Sequence, residues 1–308
     1  TKYSKILNKE CNTGKAIRLE DASGRYSEFL KSTLNKNIKI KKLKIVVDCG
    51  NGATYDIAPR ILWELGHEVI SINNKPDGKN INHNCGAVNV SQLSNKVVKE
   101  NADIGFAFDG DGDTLIIVDD KGKEIDGDKI IALFAIYMLK NKKIKSKFPV
   151  ITTVMSNLGL EKFLLNNLNI KLMRSNVGDI NVIEQMKKHK SILGGEQSGH
   201  IILSEFSKTG DGILAALKVI EIISKAKKSS SSLFNLYDNF PQIKANIPYK
   251  KISQNNIKYL KSLNNIKKRH KDIRFLIRLS GTEPLVRLLV EGKDYIKVEE
   301  QAKNILQN

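Results

Sequence analysis

Apolar runs that favour strands alternate with helical patterns from residue 43 onward. The runs at 43–48, 68–72 and 104–108 are short and rich in β-branched or aromatic residues. Apolar residues at helical spacing lie between them, around 57–65 and 93–98. Strands that alternate with helices in this way indicate parallel β/α units with right-handed crossovers.

The same alternation continues after a predicted hairpin at 115–125 and a predicted helix at 129–139. A second β/α unit is predicted to contain strands at 150–154 and 170–173 and helices at 158–168, 179–188 and 213–226. A last, smaller module is predicted to contain strands at 245–249, 275–278 and 285–290 and helices at 256–270 and 295–306.

Two polar segments divide these units. The lysine-rich segment 140–147 and the serine run 229–232 are predicted to be linkers. We therefore predict an α/β protein with two three-layer α/β/α domains followed by a small α+β domain. The predicted boundaries are a helical connector at 1–37 and domains at 38–146, 147–232 and 233–308.

Composition narrows the classes of partner. The 308 residues carry a formal net charge of +18, which attracts nucleic acid, anionic membranes or phosphorylated substrates. The lysines are spread along the chain without interleaved arginine and aromatic residues, so we predict no nucleic-acid partner. No membrane-length apolar run or signal peptide is present in the printed sequence, so we predict no membrane partner. The widely spaced Cys11, Cys49 and Cys85 favour a reducing cytoplasm.

Three carboxylates follow the predicted strand at 104–108. Asp109, Asp111 and Asp113 alternate with glycines, and alternate side chains of an extended segment lie on one face. Three close carboxylates repel one another unless a cation lies among them, and Mg²⁺ prefers such oxygen ligands. A calcium loop fits less well, because its sixth and twelfth positions hold Thr114 and Asp120 rather than Gly and Glu. We predict a divalent metal site.

A second polar motif lies between two apolar runs at 192–203. Glu196, Ser198 and His200 alternate there, so their side chains are predicted to lie on one side of the chain and to contact several hydroxyls of a sugar. A polar hairpin turn is the structural alternative.

A third motif lies between the last two predicted strands. Ser280, Gly281 and Thr282 lie between Arg278 and Arg287, and guanidinium groups, hydroxyls and exposed backbone N–H groups together hold a phosphate. A plain turn is the alternative. Metal, hydroxyl and phosphate sites together suit phosphoryl transfer on a phosphosugar.

These motifs carry a family resemblance. Asp109-Gly-Asp-Gly-Asp113, Gly194-Gly-Glu-Gln-Ser-Gly-His200 and Ser280-Gly-Thr-Glu-Pro284, in this order, resemble the motifs of the α-D-phosphohexomutases. With the segments 21–26 and 48–55 upstream, the form of the second motif is most similar to the phosphoglucosamine mutase branch.

The resemblance implies domains two, three and four of a four-domain enzyme, plus the helix that leaves domain one. It implies interconversion of glucosamine 6-phosphate and glucosamine 1-phosphate through a sugar bisphosphate, in the pathway to UDP-N-acetylglucosamine and the cell wall. By resemblance, Asp109, Asp111 and Asp113 bind Mg²⁺, which bridges them to a phosphoserine in the first domain. A phosphosugar and that first domain, in cis or in trans, are the implied partners, and a homodimer is compatible with the family.

Three departures weaken the match. The Ser-His-Asn run around the phosphoserine has no counterpart here, so this chain alone is not expected to complete the cycle. Thr114 stands where the family has Arg, and Asn176 and Ile180 stand where it has Lys and Arg. The alternatives are a degenerate phosphosugar-binding protein, a phosphoglucomutase or phosphomannomutase relative, and, from charge alone, a nucleic-acid-binding module. The sequence opens on Thr1 without Met, so we expect it to be part of a longer protein.

Overall fold

The computed structural model describes residues 15–17, 19–143, 148–248, 273–279 and 285–306. The described helices are α1 Ala22–Ser32, α2 Ile57–Glu64, α3 Ser91–Glu100, α4 Gly127–Lys140, α5 Leu158–Leu168, α6 Asp179–His189, α7 Gly212–Ala226, α8 Ser230–Phe234 and α9 Tyr295–Leu306. The described strands are β1 Lys44–Asp48, β2 Glu68–Ile72, β3 Ile104–Phe108, β4 Leu115–Asp119, β5 Glu124–Ile125, β6 Val150–Thr153, β7 Leu172–Ser175, β8 Leu193–Gly195, β9 Ile201–Leu203, β10 Gln242–Pro248, β11 Ile273–Leu279 and β12 Leu285–Gly292. None of these helices is both long enough and apolar enough to cross a membrane.

The first sheet has the strand order β2-β1-β3-β4-β5. Strand β1 pairs in parallel with β2 and β3, whereas β4 returns antiparallel to β3 through the acidic loop. Strands β1 and β3 are almost wholly buried, which matches their continuous apolar sequence. The predicted β/α order and the hairpin are confirmed, and the acidic loop follows a strand, as the metal-site interpretation requires.

The second sheet repeats this plan with the order β7-β6-β8-β9. Strand β6 is parallel to β7 and β8, and β9 returns antiparallel to β8. The third sheet is antiparallel, with the order β10-β12-β11. The predicted class, two α/β units followed by an α+β unit, is confirmed. The predicted helix at 256–270 lies outside the described residues.

Helices α4 and α7 join the first two units. Both are apolar around most of their circumference, and α7 is buried from Gly212 to Ser224. A helix of this kind needs apolar neighbours on every side. One hydrophobic cluster accordingly includes Phe108 and Leu115 of the first unit, Leu193 of the second, and residues of both helices. The predicted metal motif (Asp109, Asp111 and Asp113) and the predicted sugar motif (Glu196, Ser198 and His200) therefore project from a shared core.

The serine run is not the linker that its composition suggests. Residues 230–234 form α8, and Ser230 is 2% exposed. The Ser230 hydroxyl donates to the carbonyl oxygen of Asp103 at 2.6 Å, and the Ser231 N–H donates to the Asp120 carboxylate at 2.6 Å. Serine composition alone does not reveal these contacts, because the partners of Ser230 and Ser231 lie more than 100 residues away in sequence.

A buried ion pair joins the third unit to the second. The Arg274 side chain contacts Glu291 at 2.6 Å, and Glu291 is fully buried. Arg274 also donates to the carbonyl oxygens of Val154 and Ser156, and Glu291 accepts the N–H of Leu158 at the start of α5. Because each buried charge has several partners, this contact fixes the position of β11 and β12 against the second unit.

Asp128 is a first-turn residue of α4 and is fully buried. Its carboxylate accepts the N–H of Asn157 at 2.7 Å. Burial, and then the nearby charge of Asp126, raise the pKa of Asp128 to about 7.

We expect Asp128 to make stability depend on pH. Its folded pKa lies above the unfolded value, so native protein holds a proton that the unfolded chain releases, and stability falls as pH rises from about 4 to 7. Asp128→Asn removes this loss and keeps an oxygen for the Asn157 N–H. The variant should gain stability over the wild type with rising pH, by at most about 4 kcal/mol at pH 8. Urea unfolding at pH 4.5 and pH 8 measures the difference.

Asp294→Asn is the matched control, because Asp294 is an exposed carboxylate that precedes α9 and Asn can replace it there. Parallel stability–pH curves for Asp128→Asn and wild type would contradict the prediction.

Candidate functional site

The three aspartates of the acidic loop converge. One oxygen of each carboxylate lies within 4.8 Å of the others. Asp109 and Asp113 are half-buried and Asp111 is exposed, so the cluster opens to solvent on one side. The Thr114 N–H donates to Asp109 at 3.1 Å, which holds the first carboxylate at the end of β3.

The electrostatics of this cluster favour a cation. Burial chiefly, and then the charges of Asp113 and Asp111, raise the pKa of Asp109 to about 6. A divalent cation among the three carboxylates would remove that repulsion. Three hard oxygen donors suit Mg²⁺, which keeps its remaining positions for water or phosphate oxygens. The residues present therefore fit the metal that the sequence predicted.

The turn after β1 supports the acidic loop. The N–H of Ala53 donates to the carbonyl oxygen of Gly110 at 2.8 Å. A Cβ atom at Gly52 would lie 2.4 Å from the same oxygen, so only glycine permits this approach. The carboxyl ends of β1 and β3 thus meet at one edge of the sheet, as expected for neighbouring parallel strands.

The sugar motif forms the turn between β8 and β9. Glu196 is half-buried, and its carboxylate accepts the N–H of Gly178 at 3.1 Å. Ser198 is exposed. Both side chains can therefore meet a ligand, and Gly178 holds the first of them in place.

His200 differs from these two residues in its surroundings. It is 5% exposed, its Nδ1 lies 3.3 Å from the Asp113 carboxylate, and its Nε2 accepts the N–H of Gly210 at 3.2 Å. The three side chains that were predicted to lie on one side are therefore not equivalent. Glu196 and Ser198 are accessible, whereas His200 faces the metal loop. The predicted sugar contact of His200 stays a prediction.

Backbone hydrogen bonds connect the metal motif directly to the sugar motif. The N–H of Leu115 donates to the Gly199 carbonyl oxygen at 2.9 Å, and Thr114 forms an isolated antiparallel bridge with His200. The two motifs, almost 90 residues apart in sequence, therefore form one continuous surface.

The third motif is described only in part. Arg278 and Arg287 are register partners on β11 and β12. The predicted phosphate-loop residues Ser280, Gly281 and Thr282 lie outside the described residues. Lys244 of the neighbouring β10 reaches Gln197 of the sugar motif at 3.4 Å, so this unit borders the same surface.

Sequence reasoning missed a second glycine–aspartate turn beside the metal loop. The Gly212 N–H donates to the Gly112 carbonyl oxygen at 3.0 Å, and Asp211 accepts the Tyr26 hydroxyl at 2.9 Å. Burial, chiefly, raises the pKa of Asp211. The Gly-Asp-Gly sequence at 210–212 could have indicated this turn, but only the fold shows that it packs against Gly112.

A polar cavity of about 760 Å³ lies elsewhere, between the β4–β5 hairpin and segment 229–239. Its walls carry both signs of charge, including Lys129, whose ammonium group lies 3.5 Å from the Tyr237 ring centroid, and Asp126. None of the motif residues that the structure describes lines it. We therefore place the candidate site at the aspartate cluster.

Comparisons with known proteins agree with this geometry. Family models for phosphoglucomutase/phosphomannomutase match the chain as α/β/α domain II at 24–122, α/β/α domain III at 126–240 and the C-terminal domain at 239–308. The fold and the motifs thus define the phosphohexomutase class.

Comparison with sequence relatives identifies the family within this class. The chain is 46% identical to the phosphoglucosamine mutase of Nautilia profundicola, over 96% of this chain and 66% of the relative. It is 45% identical to that of Aliarcobacter butzleri, over 98% of this chain and 68% of the relative. The chain belongs to the phosphoglucosamine mutase family, and it spans about two thirds of the length of these curated relatives.

Solved structures share the fold. A phosphoglucomutase/phosphomannomutase family protein from Burkholderia thailandensis superposes with a TM-score of 0.81 at 24% identity, covering 99% of this chain and 68% of that one. Aspergillus fumigatus N-acetylphosphoglucosamine mutase, solved with GlcNAc-6P and magnesium, superposes with a TM-score of 0.73 at 19% identity, covering 97% and 72%.

We expect the aspartate cluster to bind a divalent cation in solution. Mg²⁺ should raise the thermal unfolding temperature of the wild type, because a ligand that binds only native protein stabilises it by mass action. Asp111→Asn should abolish the shift, since it removes one of three charged ligands without changing side-chain size. Calorimetric scans without Mg²⁺, and with Mg²⁺ raised in 10-fold steps from about 0.1 to 10 mM, measure the effect.

Asp294→Asn serves again as the control and should keep the full Mg²⁺ shift. An equal shift in Asp111→Asn and wild type would show that the cation binds elsewhere.

Proposed function

We propose that this chain is the metal-, sugar- and phosphate-binding part of a phosphoglucosamine mutase. Such an enzyme interconverts glucosamine 6-phosphate and glucosamine 1-phosphate through a sugar bisphosphate, and its product supplies UDP-N-acetylglucosamine and the cell wall. The observation that carries the proposal is the continuous surface formed by the aspartate cluster and the Glu196 turn, in a chain 45–46% identical to phosphoglucosamine mutases.

The proposed metal ligands are Asp109, Asp111 and Asp113, and the proposed ion is Mg²⁺. Bound there, Mg²⁺ would neutralise negative charge on the phosphoryl group that moves. The aspartates themselves hold and orient the ion at the open side of their cluster. The magnesium complex of the Aspergillus fumigatus enzyme, which shares this fold, supports the choice of ion.

The proposed sugar contacts are Glu196, Ser198 and His200. A carboxylate accepts hydrogen bonds from two hydroxyls at once, and the Gly178 N–H keeps Glu196 oriented toward them. The proposed phosphate contacts are Arg278, Ser280, Gly281, Thr282 and Arg287. Binding the remote phosphate there would orient the sugar so that its other end faces the metal.

The phosphoryl donor in this scheme is a phosphoserine on a first domain, supplied in cis or in trans. We further propose a cytoplasmic location, where the phosphosugar substrates occur, and a homodimer as a compatible assembly. The domain boundaries at 37/38, 146/147 and 232/233 stay predictions.

Reconstitution tests the proposed reaction. The chain should be fused to the N-terminal third of the Aliarcobacter butzleri relative and given glucosamine 6-phosphate, catalytic glucosamine 1,6-bisphosphate and Mg²⁺. We expect ³¹P NMR to show glucosamine 1-phosphate forming in the fusion and not with the unfused chain. Removing Mg²⁺ with EDTA should stop turnover, because the aspartate cluster then has no cation.

The matched control replaces the phosphorylated serine of the added domain by Ala and should be inactive. A fusion that is folded and binds Mg²⁺ but shows no mutase turnover with glucosamine, glucose or mannose phosphates would refute the proposed reaction.

The family departures favour one alternative, a phosphosugar-binding protein without catalysis. Ile180 is 66% exposed and is the second residue of α6, two positions after Gly178, so an apolar side chain occupies the place where the family has Arg. An exposed apolar residue cannot hold a phosphate, whereas a guanidinium can. Thr114, by contrast, bonds to Asp109 and Asp113, so its replacement of Arg leaves the metal loop organised.

Restoring the family residues separates the two functions. In the fusion that keeps the phosphorylated serine, Asn176→Lys combined with Ile180→Arg should raise kcat/KM by about 10-fold or more, since each added cation can contribute one charge-assisted bond to phosphate. Steady-state kinetics measure the change. Ile180→Gln, which adds polarity without charge, is the control. If only the restored variant turned over, the natural chain would be the binding protein.

A further inference from the structure

The two oxygens of the Asp211 carboxylate have different partners. Asp211 precedes α7, and its Oδ1 accepts the N–H of Leu214 at 2.8 Å, which caps that helix. Its Oδ2 accepts the hydroxyl of Tyr26 at 2.9 Å, from a residue 185 positions away in sequence. Burial, and then the charge of Asp211, raise the pKa of Tyr26, so its hydroxyl keeps the proton that it donates. The bond to Tyr26 is therefore separate from the helix cap.

The turn that contains Asp211 lies against the metal loop. The N–H of Gly212 donates at 3.0 Å to the carbonyl oxygen of Gly112, whose neighbours in sequence are two of the three aspartates. A Cβ atom at Gly212 would lie 2.7 Å from the carbonyl oxygen of Thr114 and 3.0 Å from that of Gly112. The turn therefore contacts the loop backbone on both sides of Asp113, and a shift of the turn would move that carboxylate.

Helix α1, which carries Tyr26, is held in place by other contacts as well. Leu30 is fully buried, and Lys31 pairs with Glu64 of α2 at 3.0 Å. The ring of Tyr26 packs against the hydrophobic cluster that the first two units share. The hydroxyl of Tyr26 is therefore one contact among several for α1, whereas for the turn at 210–212 it is the contact that reaches the second carboxylate oxygen.

We propose that Tyr26 is a positioning residue for the metal loop and that it acts through Asp211. Its hydroxyl fixes the turn at 210–212, and Gly212 then fixes Gly112 among the converging carboxylates. In the proposed enzyme, α1 is the helix that leaves the first domain, so the same bond connects the metal loop to the element that leads to the phosphoserine. The inference rests on the metal site of the proposed function and deepens it.

Affinity for Mn²⁺, measured in this chain without substrate, tests the role. Mn²⁺ takes the same oxygen ligands as Mg²⁺, and electron paramagnetic resonance measures the free ion. Tyr26→Phe removes one oxygen and keeps the ring, so it should weaken Mn²⁺ binding about 5-fold, the effect of one ordinary hydrogen bond. In the metal-free chain, the amide of Gly212 should exchange with solvent deuterium faster in this variant, because its bond to Gly112 opens more often.

Asp211→Ser tests whether Tyr26 acts through Asp211. Serine is as good an N-cap residue as aspartate, but it has no second oxygen for the tyrosine hydroxyl. This variant should lose as much Mn²⁺ affinity as Tyr26→Phe. The double variant should lose no more than either single variant, because both substitutions remove the same bond. Additive losses would refute the route through Asp211.

Tyr137→Phe is the matched control. The Tyr137 hydroxyl donates to Glu221 in the middle of α7, so this variant removes a bond between the same two kinds of group from the same helix. It should lower the thermal unfolding temperature to a similar extent as Tyr26→Phe, yet keep the Mn²⁺ affinity and the Gly212 amide exchange of the wild type. A merely structural role of Tyr26 predicts instead that the two variants behave alike.

The outcomes distinguish the inference from the proposed function. If Asp111→Asn abolished Mn²⁺ binding while Tyr26→Phe bound like the wild type, the metal site would stand and the positioning role would be refuted. If Tyr137→Phe weakened binding as much as Tyr26→Phe, general destabilisation of α7 would explain the loss, and the positioning role would again be refuted. Absence of Mn²⁺ binding in the wild type would overturn the metal site and this inference together. Mn²⁺ binding requires no turnover, so an inactive fusion would refute the proposed reaction alone.

Discussion

Mutual repulsion among Asp109, Asp111 and Asp113 is the constraint around which the site is built. Three carboxylates within 4.8 Å of one another raise the cost of ionising Asp109, which burial has already increased. Such a cluster needs a cation to neutralise it, and it also needs a scaffold that keeps the oxygens converged when no cation is bound. A short glycine-containing loop cannot supply that rigidity by itself.

The scaffold comes from elements distant in sequence. The turn at 50–53 holds Gly110, the turn at 210–212 holds Gly112, and the Glu196–His200 turn borders Thr114. These supports belong to two sheets whose cores merge around α4 and α7. The buried apolar surface of these helices thus fixes the polar loops indirectly, since a shift of α7 would move the turn that precedes it.

The C-terminal unit is attached differently. Its own core is small, and the buried pair of Arg274 and Glu291, with the carbonyl oxygens of 154–156, connects it to the second unit. A buried pair of this kind specifies orientation, because removing one partner leaves an uncompensated charge. The orientation matters here, since the predicted phosphate residues lie on this unit and the sugar turn lies on the other.

The sequence by itself determined the order of strands and helices, the aspartate cluster and the family, because apolar periodicity and glycine-spaced aspartates are local patterns. Only the tertiary structure decided that residues 229–232 are packed rather than a linker, that Asp128 is buried, and that His200 faces Asp113 while Ser198 faces solvent. Alternation along the chain predicts which side chains share a face, but burial and hydrogen-bond partners depend on segments brought together by folding.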